Sequence, residues 1–150
     1  MKLEIRSANR EEAIWLSSRL RPEDRLEVET ATGKPVEEAL LQSLAISAEC
    51  YTIRFDNKRD PVAIFGVGPR HSSFGVPWLL ATPDIARGAI AICREAPIWL
   101  ERWVKQYPAG LVNIADVRNN LHLRWLIRVG CALWHTVKRN GHEFIFFSYN

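Results

Sequence analysis

The sequence predicts an α/β (α+β) fold, in which a mixed, mostly antiparallel sheet of about seven strands packs against four helices. Three observations predict it. Apolar segments between Tyr51 and Ala81 follow one another across short turns, which is typical of an antiparallel meander. A helix start at Thr82-Pro83-Asp84 opens a long amphipathic segment. The chain ends in two strands joined through Asn140-Gly141, a strong hairpin signal.

Length and composition set the bounds. The chain has 150 residues, of which 47% are hydrophobic and 25% charged, a balance that supports a packed core and excludes wholesale disorder. No uncharged stretch approaches the roughly 20 residues that span a bilayer, and the alternating N-terminus lacks the apolar centre of a signal peptide. The 3 scattered cysteines give little support to a disulfide framework. We therefore expect one domain over residues 1–150, without a secretion signal of its own.

The first elements follow from local patterns. Residues 2–6 alternate as a strand does. Asn9 and Glu12 have the spacing of a capping box, which predicts a helix over residues 10–20. We expect Pro22 to stop this helix and the polar stretch that follows to be a loop.

The remaining elements alternate between apolar runs and turns. A second helix is predicted over residues 36–48, and the long helix after Thr82 carries an apolar stripe to Tyr107, with Pro97 expected to kink or split it. A further helix over 119–129 ends at Gly130. The predicted strands after the first cover residues 51–55, 62–67, 74–81, 111–117, 132–138 and 143–149.

The resulting order, β-α-α-β-β-β-α-β-α-β-β, resembles the GCN5-related N-acetyltransferase (GNAT) fold. The segment from Asn119 to Gly130 looks like the helix that follows the fifth strand in that fold, which an Asn opens and a Gly closes. A closer similarity is to the internal virion protein A-like family of short-tailed phages (podoviruses), itself acetyltransferase-like. The residues that carry it are Trp78–Thr82, Asn119, His122, Arg124, Trp125, Leu126 and Gly130.

The GNAT resemblance also implies what an active enzyme needs. Enzymes of this fold hold the pyrophosphate of acetyl-CoA in a Gln/Arg-x-x-Gly-x-Gly/Ala loop at a helix N-terminus. Here Arg87-Gly88-Ala89 is present but its spacing differs, Pro83 removes one N–H, and Asp84 adds a negative charge. The family's general acid, often a Tyr, corresponds to Leu126, which has no proton to give. These departures indicate a degenerate acetyltransferase site.

Several residues remain candidates if acetyl-CoA binds. The edge formed by Leu80, Ala81 and Thr82 would hold the pantetheine arm, and Arg87, Gly88, Ala89 and Asn119 would contact the cofactor. His122 is the candidate general base. Each has an ordinary structural alternative: Asn119 as a helix cap, and His122 as a side chain that hydrogen-bonds the backbone and fixes the loop.

We expect the chain to be a bacteriophage internal virion or virion-assembly protein that acts through contacts with other virion or host proteins, in the virion or the host cytoplasm. Its candidate anchors are Arg124, Trp125 and Arg128. On this expectation it needs no cofactor. The alternative is an active N-acyltransferase that uses acetyl-CoA. Nucleic acid is a less favoured partner, although residues 87–150 carry 9 basic and 4 acidic side chains, a charge of +5 (9 − 4). No histidine or cysteine spacing predicts a metal site.

Overall fold

A computed structural model describes the whole chain, Met1–Asn150. The seven strands are β1 (Leu3–Ser7), β2 (Glu49–Phe55), β3 (Ala63–Gly68), β4 (Val76–Ala81), β5 (Leu111–Asp116), β6 (Ala132–Arg139) and β7 (His142–Tyr149). The five helices are α1 (Arg10–Ser17), α2 (Pro22–Thr32), α3 (Val36–Ile46), α4 (Ala89–Gln106) and α5 (Asn120–Arg128), and a short 3₁₀ helix (Pro83–Gly88) precedes α4.

The strands form two antiparallel sheets, in the orders β1-β2-β3-β4 and β5-β7-β6. A single parallel bridge, between Gly75 and Leu111, joins them. Beyond this bridge β4 and β5 do not pair, and we call the gap between these two strands the wedge. The predicted α/β class, strand number and mostly antiparallel pairing are confirmed. The division into two sheets and the fifth helix are differences from the prediction.

Helices cover both faces of the larger sheet. On one face α1 and α3 bury Leu16 and Leu40 against Ile64 of β3. On the other face α4 and α5 contribute Trp103 and Leu126 to a larger core. The wedge therefore has helices on both sides, which shape a cavity on each. None of the helices is both long enough and apolar enough to cross a bilayer.

The prediction of a loop after Pro22 is wrong, since α2 occupies residues 22–32. Pro22 does not end a helix but begins one, because a proline at the first helical position has no N–H that the helix would need. Gly33 ends α2 in the left-handed conformation, with φ 68°. The buried residues of α2 are Asp24 and Glu27, so the helix has no apolar stripe to reveal it.

The helix predicted after Thr82 is present, but it starts later. The 3₁₀ helix occupies its first residues, and the Thr82 hydroxyl is buried without a hydrogen-bond partner instead of capping. Pro97 does not split α4, which is continuous from Ala89 to Gln106. Tertiary packing of Ile92, Leu100 and Trp103 on both sides of Pro97 outweighs the lost backbone bond.

Three local predictions are confirmed. Asn9 and Glu12 form the capping box: the Glu12 N–H donates to Asn9 Oδ1 (2.9 Å) and the Asn9 N–H to Glu12 Oε1 (3.1 Å). Asn140 and Gly141 both have positive φ, 48° and 80°, as a tight hairpin turn requires. Gly130, with φ 103°, follows α5 and leads into β6.

Candidate functional site

The wedge contains a cluster of buried charged and polar side chains. We call it the wedge cluster; its members are Arg21, Asp24, Glu27, Asn119 and His122. Asp24, Glu27 and Asn119 are only 4%, 8% and 2% exposed. Burying a carboxylate is costly unless it is paired and hydrogen-bonded, and each of these groups has partners inside the cluster.

The two carboxylates of α2 bind the two sides of the wedge. Asp24 Oδ2 accepts a hydrogen bond from the Ala81 N–H of β4 (3.0 Å), and Glu27 Oε1 accepts one from the Asp116 N–H of β5 (2.7 Å). The Arg21 N–H, just before α2, donates to the Ala81 carbonyl (2.8 Å). Side chains of α2 and the Arg21 N–H thus supply the bonds that strand pairing would make if β4 and β5 were adjacent.

Asn119 orders the start of α5. Its Oδ1 accepts from the His122 N–H (3.4 Å), which is the predicted helix cap. Its Nδ2 donates to Asp24 Oδ1 (3.1 Å) and Glu27 Oε2 (3.3 Å). The capping interpretation of Asn119 is therefore confirmed, and the amide is fully engaged by protein groups.

His122 lies at the centre of the cluster. Its Nδ1 is 3.0 and 3.1 Å from the two carboxylate oxygens of Glu27, while Nε2 has no protein partner. Burial opposes a charge on the ring, but the hydrogen bond and charge of Glu27, with the charge of Asp24, outweigh it and raise the pKa of His122. Burial also raises the pKa of Asp24, against the opposing effect of Arg21 Nη1 at 2.7 Å.

The sequence predicts an alternative, structural role for His122, in which its side chain hydrogen-bonds the backbone and fixes the loop, but the structure shows a different partner. The ring bonds a carboxylate, not a main-chain group. With Nδ1–H donating to Glu27, the free Nε2 of the neutral ring is a proton acceptor. This pairing of a histidine with a buried carboxylate is an arrangement that general bases use.

Two cavities meet at His122. The first, which we call the front cavity, has a volume of about 160 Å³ and lies between the 3₁₀ helix and the starts of α4 and α5. The second, the rear cavity, has a volume of about 350 Å³ and lies on the opposite face, between α2, α3 and the two strands. Leu79 of β4 and His122 line both. The imidazole can therefore meet a ligand from either side of the wedge.

The strand edge predicted to hold a pantetheine arm is largely occupied. The Thr82 N–H donates to the Val62 carbonyl (2.8 Å), and Leu80 pairs with Ile64 of β3, so both are directed away from the wedge. The backbone groups of Ala81 are bonded to α2. Alternation along β4 leaves the backbone of Leu79 facing the wedge.

The other candidate cofactor residues are dispersed. Ala89 lines the front cavity. Gly88 packs so closely on Phe55 that an added Cβ would collide with its ring. Arg87 lies with Thr82 in a separate depression, outside the wedge.

The three candidate anchors on α5 differ in exposure. Arg124 and Arg128 are exposed, whereas Trp125 is half-buried and lines the front cavity.

Sequence reasoning missed the acidic half of the site. Asp24 and Glu27 are three residues apart and so share one face of α2. Pro22 followed by Glu23 and Asp24 is also a helix-start signal, which could have revealed α2. No group of three or more His, Cys, Asp or Glu side chains is placed to hold a metal ion.

Comparisons with known proteins give structural matches only. No protein-family model matches the chain, and no curated protein matches it in sequence. Among solved structures, it is similar to AAC(6')-Ib in complex with ribostamycin and coenzyme A (11% identity, 99% of this chain and 93% of that chain, TM-score 0.69). It is also similar to the ribosomal-protein-S18-alanine N-acetyltransferase from Escherichia coli (12% identity, 98% of this chain and 92% of that chain, TM-score 0.67). A GNAT-family acetyltransferase from Bacillus anthracis is similar to a comparable degree (12% identity, 99% of this chain and 93% of that chain, TM-score 0.67).

These likenesses establish a GNAT-like α/β fold for the chain. At such low identity they establish the fold alone. None of them supports the resemblance to the phage internal virion family, or the bacteriophage and virion-assembly role that it implied.

Proposed function

We propose that the chain is an N-acyltransferase that transfers an acyl group from a coenzyme A thioester to an amine, with His122 as general base. The observation that carries the proposal is the position of His122, with a free Nε2, where cavities from opposite faces of the wedge meet. A two-substrate transfer needs that arrangement, because donor and acceptor must approach one reacting centre from different sides. The expectation that no cofactor is needed is not retained.

The front cavity is the proposed donor side. Leu79 offers backbone groups to the thioester arm, and Ile85, Ala89 and Trp125 supply apolar lining. The N-terminus of α4 begins without a side-chain cap, and its dipole favours an anion such as the pyrophosphate. The backbone of Ala81 is not free to bond the thioester arm, because Asp24 and the Arg21 N–H already hydrogen-bond it.

The rear cavity is the proposed acceptor side. Glu27 and His122 are the only titratable side chains in its lining. The neutral imidazole holds Nδ1–H on Glu27 and accepts a proton from the amine at Nε2. As the proton leaves, the amine nitrogen bonds the thioester carbonyl carbon and the carbon–sulfur bond breaks. With Leu126 in place of the family's Tyr, the protonated His122 returns this proton to the thiolate, which yields an amide and free coenzyme A.

Thermal stability with acetyl-CoA is the first test. A ligand at 100 times its Kd adds about 2.7 kcal/mol. At about 2–4 °C per kcal/mol for a chain of this size, Tm should rise by roughly 5–11 °C. No rise with millimolar acetyl-CoA, and none with longer acyl-CoA thioesters, would overturn the proposal.

Turnover is the second test, followed as thiol release with a panel of primary amines. His122→Ala should lower the rate by about 10²-fold or more. The matched control is His135→Ala on exposed β6, which should leave the rate unchanged. Equal losses in the two variants would remove His122 from the mechanism.

A further inference from the structure

A third cavity adjoins the front cavity. This inner cavity has a volume of about 70 Å³ and lies between α4, α5 and the sheets, with a lining dominated by apolar side chains such as Phe65 and Leu100. Leu79, Ile92, His122 and Trp125 line both it and the front cavity. The two cavities are therefore neighbours that share part of their lining.

Two residues that line the inner cavity carry unpaired hydrogen-bond donors. The indole Nε1 atoms of Trp103 and Trp125 are buried without a partner, and both residues line this cavity. Other indoles do have partners: Trp78 donates to Ser47 Oγ (3.0 Å) and Trp134 to Ser148 Oγ (2.8 Å). A buried donor left unpaired in a folded protein requires an explanation, and a ligand oxygen is one.

The volume limits what can fit. An apolar cavity of about 150 Å³ accommodates benzene, with six carbons, so about 70 Å³ accommodates roughly three. A carboxylate is disfavoured, because no arginine or lysine lines the inner cavity to neutralise it. A neutral oxygen on a short chain satisfies the indole donors without burying a charge.

We propose that the inner cavity binds the acyl chain of the donor, and that the donor is a short-chain acyl thioester of four or five carbons bearing a hydroxyl or keto oxygen. The inference rests on the proposed function, since it assigns the acyl group that the thioester carries. It makes acetyl-CoA a poorer ligand than its longer, oxygenated analogues.

The test is calorimetric binding of acetyl-, butyryl- and 3-hydroxybutyryl-CoA. Burial of two further CH₂ groups should make butyryl-CoA bind about tenfold more tightly than acetyl-CoA. The hydroxy analogue should bind more tightly again. Trp103→Phe should reduce only this last difference, because phenylalanine keeps an aromatic ring but has no donor, while the indole of Trp125 remains.

A filling variant provides the control for the cavity. Ala96→Leu adds side-chain volume that fills the inner cavity, so it should remove most of the butyryl preference and leave acetyl-CoA affinity unchanged. Ala91→Leu makes the same change on α4 at a position outside the three cavities, and should bind as the wild type does.

The outcomes separate the two proposals. If acetyl-CoA binds as tightly as both longer thioesters, the inference about the inner cavity is overturned while the acyltransferase proposal stands. If none of the three binds, both fall.

Discussion

Removal of the Glu27 carboxylate tests whether α2 holds the two sides of the wedge together. In Glu27→Ala the Asp116 N–H loses its 2.7 Å acceptor and His122 loses its partner at 3.0 Å. Breaking a buried charged pair by deleting one member costs about 3–5 kcal/mol. At about 2–4 °C per kcal/mol, the melting temperature should fall by roughly 6–20 °C.

The assay is urea denaturation, with the free energy of unfolding compared between variants. Glu38→Ala is the matched control, because Glu38 is exposed on the neighbouring helix α3, and such a surface change alters stability by about 0.5 kcal/mol or less. The free energy of unfolding of Glu27→Gln should lie between those of the wild type and Glu27→Ala. Its amide oxygen can still accept a hydrogen bond from the Asp116 N–H, but the charge beside His122 is gone. If Glu27→Ala costs no more stability than Glu38→Ala, the two sides of the wedge are held together by contacts other than those of Glu27.

Three further predictions concern other parts of the chain. Because the pKa of His122 is raised above its unfolded value of about 6.5, its contribution to stability is complete below that pH and is lost as pH rises through the folded value. Melting temperatures from pH 6 to 9 should therefore decline in the wild type and decline less in His122→Asn; parallel profiles would contradict this. Gly88→Ala should destabilise the fold by about 1–3 kcal/mol through collision with Phe55, and adding Phe55→Leu should recover part of that loss in thermal melts. Burial raises the pKa of Cys131 to about 11 and that of Cys50 to about 12, so iodoacetamide at pH 8 should label both slowly in the native protein and fully in urea, as followed by mass spectrometry.

The sequence predicted elements whose signals are local. The N-terminal capping box and the Asn140-Gly141 turn depend on residues a few positions apart, and the apolar stripe of α4 repeats along one helix. Such patterns need no knowledge of tertiary structure. Helix α2 was missed because its buried face is polar, and hydrophobic periodicity cannot detect a helix that buries Asp24 and Glu27.

The part of the candidate site at the start of α5 could be predicted because its sequence signal is also local. The pattern around Asn119 and His122 indicated the start of α5, which identified the histidine. Its partner Glu27 is 95 residues away, and only the fold brings the two together. The free Nε2 and the meeting of two cavities depend on that contact, so no motif search would reveal them.

Asp24 and the Arg21 N–H hydrogen-bond the backbone of Ala81, so a ligand that bonds the same groups competes with contacts that stabilise the fold. Under the proposed function, a donor arm that pairs with β4 at this residue must first release α2, and the free energy of that release is subtracted from binding. Substitutions that loosen α2 should then raise the affinity for thioesters while lowering the melting temperature. Evolution of this chain toward tighter donor binding would accordingly require compensating stabilisation elsewhere in the fold.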